Sequence, residues 1–185
     1  MKYEPNKIFQ SPSSPEVDEA WKSWMFKNDH AIMIPKEQAK KHGLPETVQL
    51  YNDPGYLFYG LGVYHQLHCL NRIRKTFYKE KFYADEDPHM IEVHKNHCFD
   101  VIRQALMCHG DISLVYWWND TYSYIDETGA KQYSDDYLHR NGEERMTGSR
   151  THWNTDVQCR DISAINDWAR QHKVNADKYW GRVDD

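Results

Sequence analysis

The chain has 185 residues, a length that suits one domain built around a single core, although its apolar content of 39% is low. Its formal charge of −5, without a basic stripe, argues against nucleic acid as a partner. No apolar run approaches the roughly 18–20 residues of a membrane span, and the polar, Pro/Ser-rich start is unlike a signal peptide, so a soluble domain is predicted.

We expect one domain over 1–185, which begins with an extended lead-in over 1–20. Prolines and serines in the lead-in discourage regular structure. Ser14 or Asp18 is suited to cap a short helix there.

The next segment alternates short elements with turn signals. Residues 30–34, HAIMI, are predicted to form a brief extended segment. Pro35 is placed to open a short helix, because proline is favoured in the first turn, and Gly43 would stop that helix. Residues 51–60 contain proline and glycine and are predicted to form a loop.

Two amphipathic helices follow this loop. Residues 61–80 and 89–109 both place apolar side chains three or four residues apart. Asp87 and Pro88 are the residue types expected at the N-cap and first position of the second helix. A loop over 81–87 would let the two helices lie side by side as an antiparallel pair.

Each predicted helix carries one copy of the motif HxxHC. Within a copy the two histidines are three residues apart, which makes them neighbours on one helix face. The second copy lies beside the apolar row of its helix, so its rings are expected to face inward. Packed together, the helices would converge four imidazoles as a metal site. Imidazole suits zinc, copper, iron and nickel, and spacing alone does not choose among them. The four histidines are His65, His68, His94 and His97.

The cysteines lack the spacing of a zinc ribbon. Cys69 and Cys98, which close the two motif copies, are open to three interpretations: thiolate ligands, disulfide partners or small core residues. A disulfide between them is the preferred interpretation and requires an oxidising compartment. Asn119 begins an N-glycosylation sequon and is a glycosylation candidate if the chain enters the secretory pathway.

The last third is predicted to be less regular. Residues 111–118 suit a strand or an extended segment, 139–150 an exposed loop, and 161–174 a final helix with inward apolar residues that include Trp168 and Ala169. The predicted fold is mainly α. It is a single domain with a central antiparallel helical pair carrying the HxxHC motifs, plus short extended segments and aromatic-rich loops.

The segments YHQLHCL and HKNHCFDVIRQALMCHGD, with a late CRD before a Trp-containing helix, resemble the fungal UstYa-like proteins, named for an enzyme of ustiloxin biosynthesis. The lead-in SPSSPEVDEAW is also similar to the start of that family. The resemblance implies copper-dependent oxidation of a peptide or polyketide-type intermediate by dioxygen. Cyclisation, desaturation, hydroxylation and C–H halogenation are the outcomes known in the family.

The resemblance also assigns residues and surroundings. The four motif histidines are the implied copper ligands and catalytic residues. Cys108 and Cys159 match further family cysteines and are candidates for a second disulfide. Tyr59 and Tyr64, beside the first motif, are candidate substrate-pocket residues, with core packing as the alternative. The resemblance also implies that the protein acts as a homodimer or heterodimer, and that a membrane anchor holds its domain in the secretory lumen. We expect that anchor to precede this chain.

Two other classes remain open on the residues alone. The site would suit a structural zinc ion in a non-catalytic partner protein of a biosynthetic enzyme complex. It would also suit a hydrolase that uses zinc-bound water, although no HExxH motif supplies the usual general base.

Overall fold

A computed structural model describes residues 5–24, 31–50, 53–152 and 157–174. The backbone divides into two compact units. The smaller comprises Met1–Pro5 and Asp111–Cys159, and the larger comprises Asn6–Gly110 and Arg160–Asp185. Helices predominate over strands in the described residues, in agreement with the predicted mainly α class. One domain over 1–185 stays a prediction.

The helices of the described residues, in chain order, are α1 (Pro15–Trp24), α2 (Lys36–Lys41), α3 (Gly62–Thr76), α4 (Lys79–Phe82), α5 (Pro88–His109), α6 (Asp135–Leu138), α7 (Gly142–Met146) and α8 (Ile162–Gln171). The strands are β1 (Ala31–Pro35), β2 (Gln49–Leu50), β3 (Asp53–Gly60), β4 (Tyr116–Trp118), β5 (Ser123–Ile125), β6 (Lys131–Tyr133) and β7 (Arg150–His152). A 3-10 turn spans Asp120–Tyr122.

The larger unit contains a three-stranded antiparallel sheet in the order β1-β3-β2. Its central strand, β3, occupies most of the segment predicted as the loop 51–60, so that prediction is wrong for the described part; 51–52 lie outside the described residues. Pro54 and Gly55 precede Tyr56, the first position of β3 paired with β1. The turn-forming residues therefore leave the pairing of β3 with β1 uninterrupted, and the irregular register of β3 against β2 falls where they stand, between Asp53 and Leu57.

The ends of α5 agree with the sequence analysis. The Asp87 carboxylate accepts a hydrogen bond from the backbone N–H of His89 at 2.9 Å, and Pro88 is the first helical residue. Gly110 ends the helix with φ 48°, a left-handed conformation that favours glycine. The helix predicted over 61–80 ends earlier, at Thr76, and α4 occupies the start of the predicted loop.

The core of the larger unit joins β1, α3 and α8. Ile32, Tyr64 and Ala169 are almost fully buried against one another. The prediction that Trp168 also faces inward is wrong: its side chain is 41% exposed and stacks on the ring of His172, with centroids 4.1 Å apart. The small Ala169 makes the close contact with the core, which turns the adjacent tryptophan towards solvent.

The helix α1 begins within the predicted lead-in of 1–20. Residues 5–14 form turns and bends without helix or strand. The Ser14 hydroxyl accepts a hydrogen bond from the backbone N–H of Val17 at 3.2 Å, which caps the helix as one of the two predicted residues.

The smaller unit holds two two-stranded antiparallel sheets, β4-β7 and β5-β6. Residues 111–118 are predicted as a strand or an extended segment, and Tyr116–Trp118 of them form the strand β4. The segment predicted as an exposed loop, 139–150, is mostly exposed, but it contains the helix α7. Asn141 and Glu144 form a capping box there, each side chain bonded to the other residue's backbone N–H.

Asn119 is a structural residue of the smaller unit. Its side chain is 1% exposed, accepts a hydrogen bond from the backbone of Thr121 at 3.2 Å and donates through Nδ2 to the carbonyl oxygen of Thr147 at 3.0 Å. A glycan would be attached to this same Nδ2 atom. Glycosylation of Asn119 therefore stays a prediction that would require this buried hydrogen bond to be given up.

We expect Asn119→Ala to lower the free energy of unfolding by about 1–3 kcal/mol, because it leaves buried backbone groups without their partner. Urea unfolding followed by circular dichroism measures the loss. Asn96→Ala is the matched control, since the exposed Asn96 only donates to Glu92 on the same helix. Equal stability of the two variants would contradict the structural role of Asn119.

Candidate metal site

Three side chains of the larger unit form a cluster with metal-binding potential. His65, Cys69 and His97 each offer one donor atom, and these atoms all lie within 4.8 Å of one another. The rings of His65 and His97 have centroids 5.7 Å apart. We call this group the three-donor cluster. It combines two imidazole nitrogens with one sulfur.

The packing of α3 against α5 explains the cluster. His65 and Cys69 are four residues apart on α3 and so share one helix face. His97 comes from α5, where it lies by His65 of α3, and His94 of α5 lies by Arg72 of α3. The first HxxHC copy therefore contributes its first histidine and its cysteine to the cluster, and the second copy contributes its second histidine.

The histidines lie at the rim of the helix pair. His65, His94 and His97 are exposed, whereas Cys69 is fully buried beneath them. The prediction that the second motif faces inward is therefore wrong for its two rings. The buried face of α5 is narrow and holds Ile91 and Cys98, so the histidines beside it fall at its edge.

Cys69 and Cys98 contact each other through their side chains in the core. Burial and, to a smaller extent, the adjacent Cys98 raise the pKa of the Cys69 thiol to about 12. Cys69 is thus a neutral thiol here, next to both the two imidazoles and Cys98. A disulfide between Cys69 and Cys98 and ligation by Cys69 both stay predictions.

His68 lies beside the cluster without completing it. Its ring is nearly parallel to that of His65, at 17° and with centroids 6.4 Å apart. Three residues along a helix separate the two, so they are neighbours, but only His65 belongs to the group of donor atoms that includes His97. The role of His68 as a ligand stays a prediction.

His94 takes part in a different set of contacts. Its Nδ1 atom lies 3.0 Å from Arg72 Nη2 and 3.7 Å from the nearest carboxylate oxygen of Glu86. Arg72 Nη2 also donates to Glu86. His94, the remaining predicted ligand, therefore contacts an arginine and lies one helical turn from His97 of the three-donor cluster.

The two candidate pocket tyrosines both make hydrogen bonds within the protein. The Tyr64 hydroxyl donates to Asn166 Oδ1 at 2.7 Å inside the core. The Tyr59 hydroxyl donates to the carbonyl oxygen of Pro45 at 2.7 Å. Both side chains also pack in the same hydrophobic cluster. Their role in a substrate pocket stays a prediction. Cys108 and Cys159, the second disulfide candidates, are exposed and belong to different units.

An open groove lies along α3 and α5, on the same pair of helices as the cluster. Its volume is about 290 Å3, and its lining residues are Gln66, Val101, Gln104, Ala105, Cys108 and His109. Gln66 follows His65 in the sequence, and Val101 is one turn beyond His97 on α5. The motif spacing predicts no groove, because the groove depends on how the two helices pack.

None of the helices described here is both long and apolar enough to cross a membrane.

The sequence is similar to a known protein family and to several characterised fungal proteins. A family model described as "Mycotoxin biosynthesis protein UstYa" matches residues 1–172. The chain is 25% identical to the "UstYa family oxidase phomYc" of Diaporthe leptostromiformis, with 91% of this chain and 60% of the relative covered. It is also 25% identical to the "Hydroxylase cctR" of Talaromyces islandicus, with 90% and 53% covered.

A third relative is the "Oxidase ustYa" of Aspergillus flavus, 28% identical with 62% of this chain and 41% of that protein covered. The chain spans about half the length of the curated relatives it matches. No solved structure matches it. Because the family match extends over nearly the whole sequence, the chain belongs to the UstYa family of mycotoxin biosynthesis proteins.

Proposed function

We propose that this chain is the catalytic part of a copper-dependent oxidase that acts on C–H bonds in fungal secondary-metabolite biosynthesis. Membership of the UstYa family carries the proposal. Relatives named as oxidases and a hydroxylase support oxidation as the reaction class. The proposed substrates are dioxygen and a peptide or polyketide-type intermediate.

The three-donor cluster fits a copper ion in the chemistry of its donors. Imidazole nitrogen and thiolate sulfur are ligands that copper and zinc both accept. His65, Cys69 and His97 would hold the ion, with His68 as the nearest further candidate. Copper would supply one-electron redox chemistry with dioxygen. Zinc would not, which makes the zinc-binding partner protein the alternative that an experiment must exclude.

The residues of the cluster and the nearby groove would provide substrate access, metal anchoring and substrate binding. The exposed rings of His65 and His97 leave one side of the cluster open to a substrate, while the buried Cys69 anchors the other side. Ligation by the Cys69 sulfur would release its thiol proton, so metal affinity would rise with pH. The groove along α3 and α5 would hold the substrate next to the open side.

Hydroxylation, desaturation, ring closure and halogenation all begin with loss of a hydrogen atom from carbon. They differ in what the carbon radical meets next. The four outcomes therefore belong to one proposal, which includes halogenase activity with a halide ion as the source of the halogen. Action in the secretory lumen, through a membrane anchor outside this chain, and assembly as a homodimer or heterodimer with a related protein are parts of the same proposal.

The test is a comparison of copper-loaded and zinc-loaded protein with the intermediate of its own biosynthetic cluster, under air and under argon. We expect only copper under air to yield product, detected by mass spectrometry as a gain of oxygen or halogen or a loss of hydrogen. Product formation by the copper-loaded protein under argon would exclude an oxidase that uses dioxygen, and product formation by the zinc-loaded protein would favour the zinc hydrolase.

A further inference from the structure

A second groove lies in the larger unit, between the segment 5–14, α1, and α3 with the two residues that follow it. Its volume is about 290 Å3, at the small end of ligand sites, which span roughly 300–1,000 Å3. The groove contains no residue of α5, whereas the three-donor cluster needs His97 of that helix. Its wall is mostly apolar and is formed by Phe9, Trp21, Leu70, Ile73, Phe77 and Tyr78.

Arg74 also lines this groove, and two hydrogen bonds fix its guanidinium. Nη2 donates to Asp18 Oδ1 at 2.8 Å, and Nε donates to Asn71 Oδ1 at 3.0 Å. The remaining nitrogen, Nη1, is buried, and the described residues offer it no hydrogen-bond acceptor. Arg74 therefore holds a positively charged donor at the groove whose hydrogen bond is still to be made.

The indole N–H of Trp21 is another buried donor that finds no acceptor in the described part of the chain. Buried donors are nearly always hydrogen-bonded, because an unmade bond costs stability. The ring of Phe9 packs edge-on against Trp21, with centroids 5.3 Å apart and planes at 87°. Phe9 belongs to the segment 5–14, which has neither helix nor strand. A shift of Phe9 would therefore open this side of the groove to a bound acceptor.

The charges around Arg74 favour an anion as that acceptor. Asp18 pairs with Arg74 and also accepts from Lys81 Nζ at 2.6 Å. No further carboxylate forms an ion pair with either cation within the ranges that the structure describes. Two cations thus share one carboxylate, and one positive charge is in excess. A carboxylate ligand would supply both the missing acceptor and the missing negative charge.

We propose that this groove binds a small carboxylate with an apolar, ring-bearing body. The carboxylate accepts from Arg74 Nη1 and Trp21 Nε1, while the body packs on Leu70, Ile73 and Phe77. The Phe77 side chain is 79% exposed, so a ligand that covers it removes apolar surface from water. The site depends neither on a metal ion nor on the proposed oxidase activity.

The first test titrates the metal-free chain with 4-phenylbutanoate and, as the uncharged control, with 4-phenylbutan-1-ol. Calorimetry gives the affinities, and proton–nitrogen NMR follows the Trp21 indole N–H, assigned by its loss in Trp21→Phe. We expect saturable one-to-one binding of the acid with a downfield shift of this proton, and binding of the alcohol weaker by at least about tenfold. Equal binding of acid and alcohol, or an unshifted Trp21 signal at saturation, would overturn the proposal.

The second test locates the acid on the surface. Phe77→Ser removes an exposed wall of the groove and should weaken binding of the acid by at least about fivefold while the fold is kept. Phe99→Ser is the matched control, since Phe99 is 51% exposed on α5 and should not affect binding. Trp21→Phe keeps an aromatic ring without the N–H and should weaken the acid more than the alcohol. Wild-type affinity for the acid in either Phe77→Ser or Trp21→Phe would overturn the proposal.

Discussion

Replacing His97 with alanine is expected to weaken copper binding on the order of 100-fold or more. The change removes one of the three donors that lie within 4.8 Å of one another. Loss of a residue that merely orients a ligand typically costs 10–100-fold in metal affinity, so loss of the ligand itself should cost at least the upper end of that range. His97 is exposed, and the fold should therefore survive the substitution.

Competition with a chromophoric copper chelator measures this affinity. His89→Ala is the matched control: it removes an exposed imidazole from the same helix, α5, outside the cluster. We expect the control to bind copper as the wild type does, with both variants unfolding at the wild-type temperature. If His97→Ala kept wild-type affinity, His97 would not be a ligand and the three-donor cluster would lose its proposed role.

The parts of the fold that the sequence predicts well depend on local signals. Asp87, Pro88 and Gly110 each act on backbone groups within four residues, and α5 begins and ends where they indicate. The strand β3 is different, because its pairing with β1 joins residues more than twenty positions apart. No local pattern in a segment containing Pro54 and Gly55 indicates such a partner.

The candidate site likewise has a part that local spacing predicts and a part that depends on helix packing. Three-residue spacing correctly makes His65 and His68 neighbours on α3. The residues on the facing helix decide whether a motif histidine lies beside another potential metal ligand or beside an arginine. Arg72 lies one turn beyond Cys69 on α3, and only the packing of α3 on α5 brings it to His94. The spacing of HxxHC alone therefore treats His94 and His97 as equivalent, although their surroundings differ.

Asp18→Ala is expected to lower the free energy of unfolding by about 3–5 kcal/mol at neutral pH. The Asp18 carboxylate is 8% exposed and accepts from Arg74 at 2.8 Å, Lys81 at 2.6 Å and Ser13 at 3.1 Å. Removing it leaves the guanidinium of Arg74, whose side chain is 15% exposed, without its counter-charge. Glu19→Ala is the control, because Glu19 is the exposed neighbour of Asp18 on α1 and should cost at most about 0.5 kcal/mol.

The same carboxylate should make the fold sensitive to acid. Burial raises its pKa, but hydrogen bonds from Lys81, Arg74 and Ser13 outweigh burial and lower the pKa of Asp18 to about 2 from an ordinary value of 3.8. A group with a lowered folded-state pKa stabilises the fold above the unfolded pKa, and this contribution is lost as the pH falls from about 4 to about 2. The wild type and Asp18→Asn should therefore differ in urea unfolding at neutral pH and converge near pH 2. A difference that stayed constant over this range would mean that the carboxylate charge does not stabilise the contact between α1 and α3.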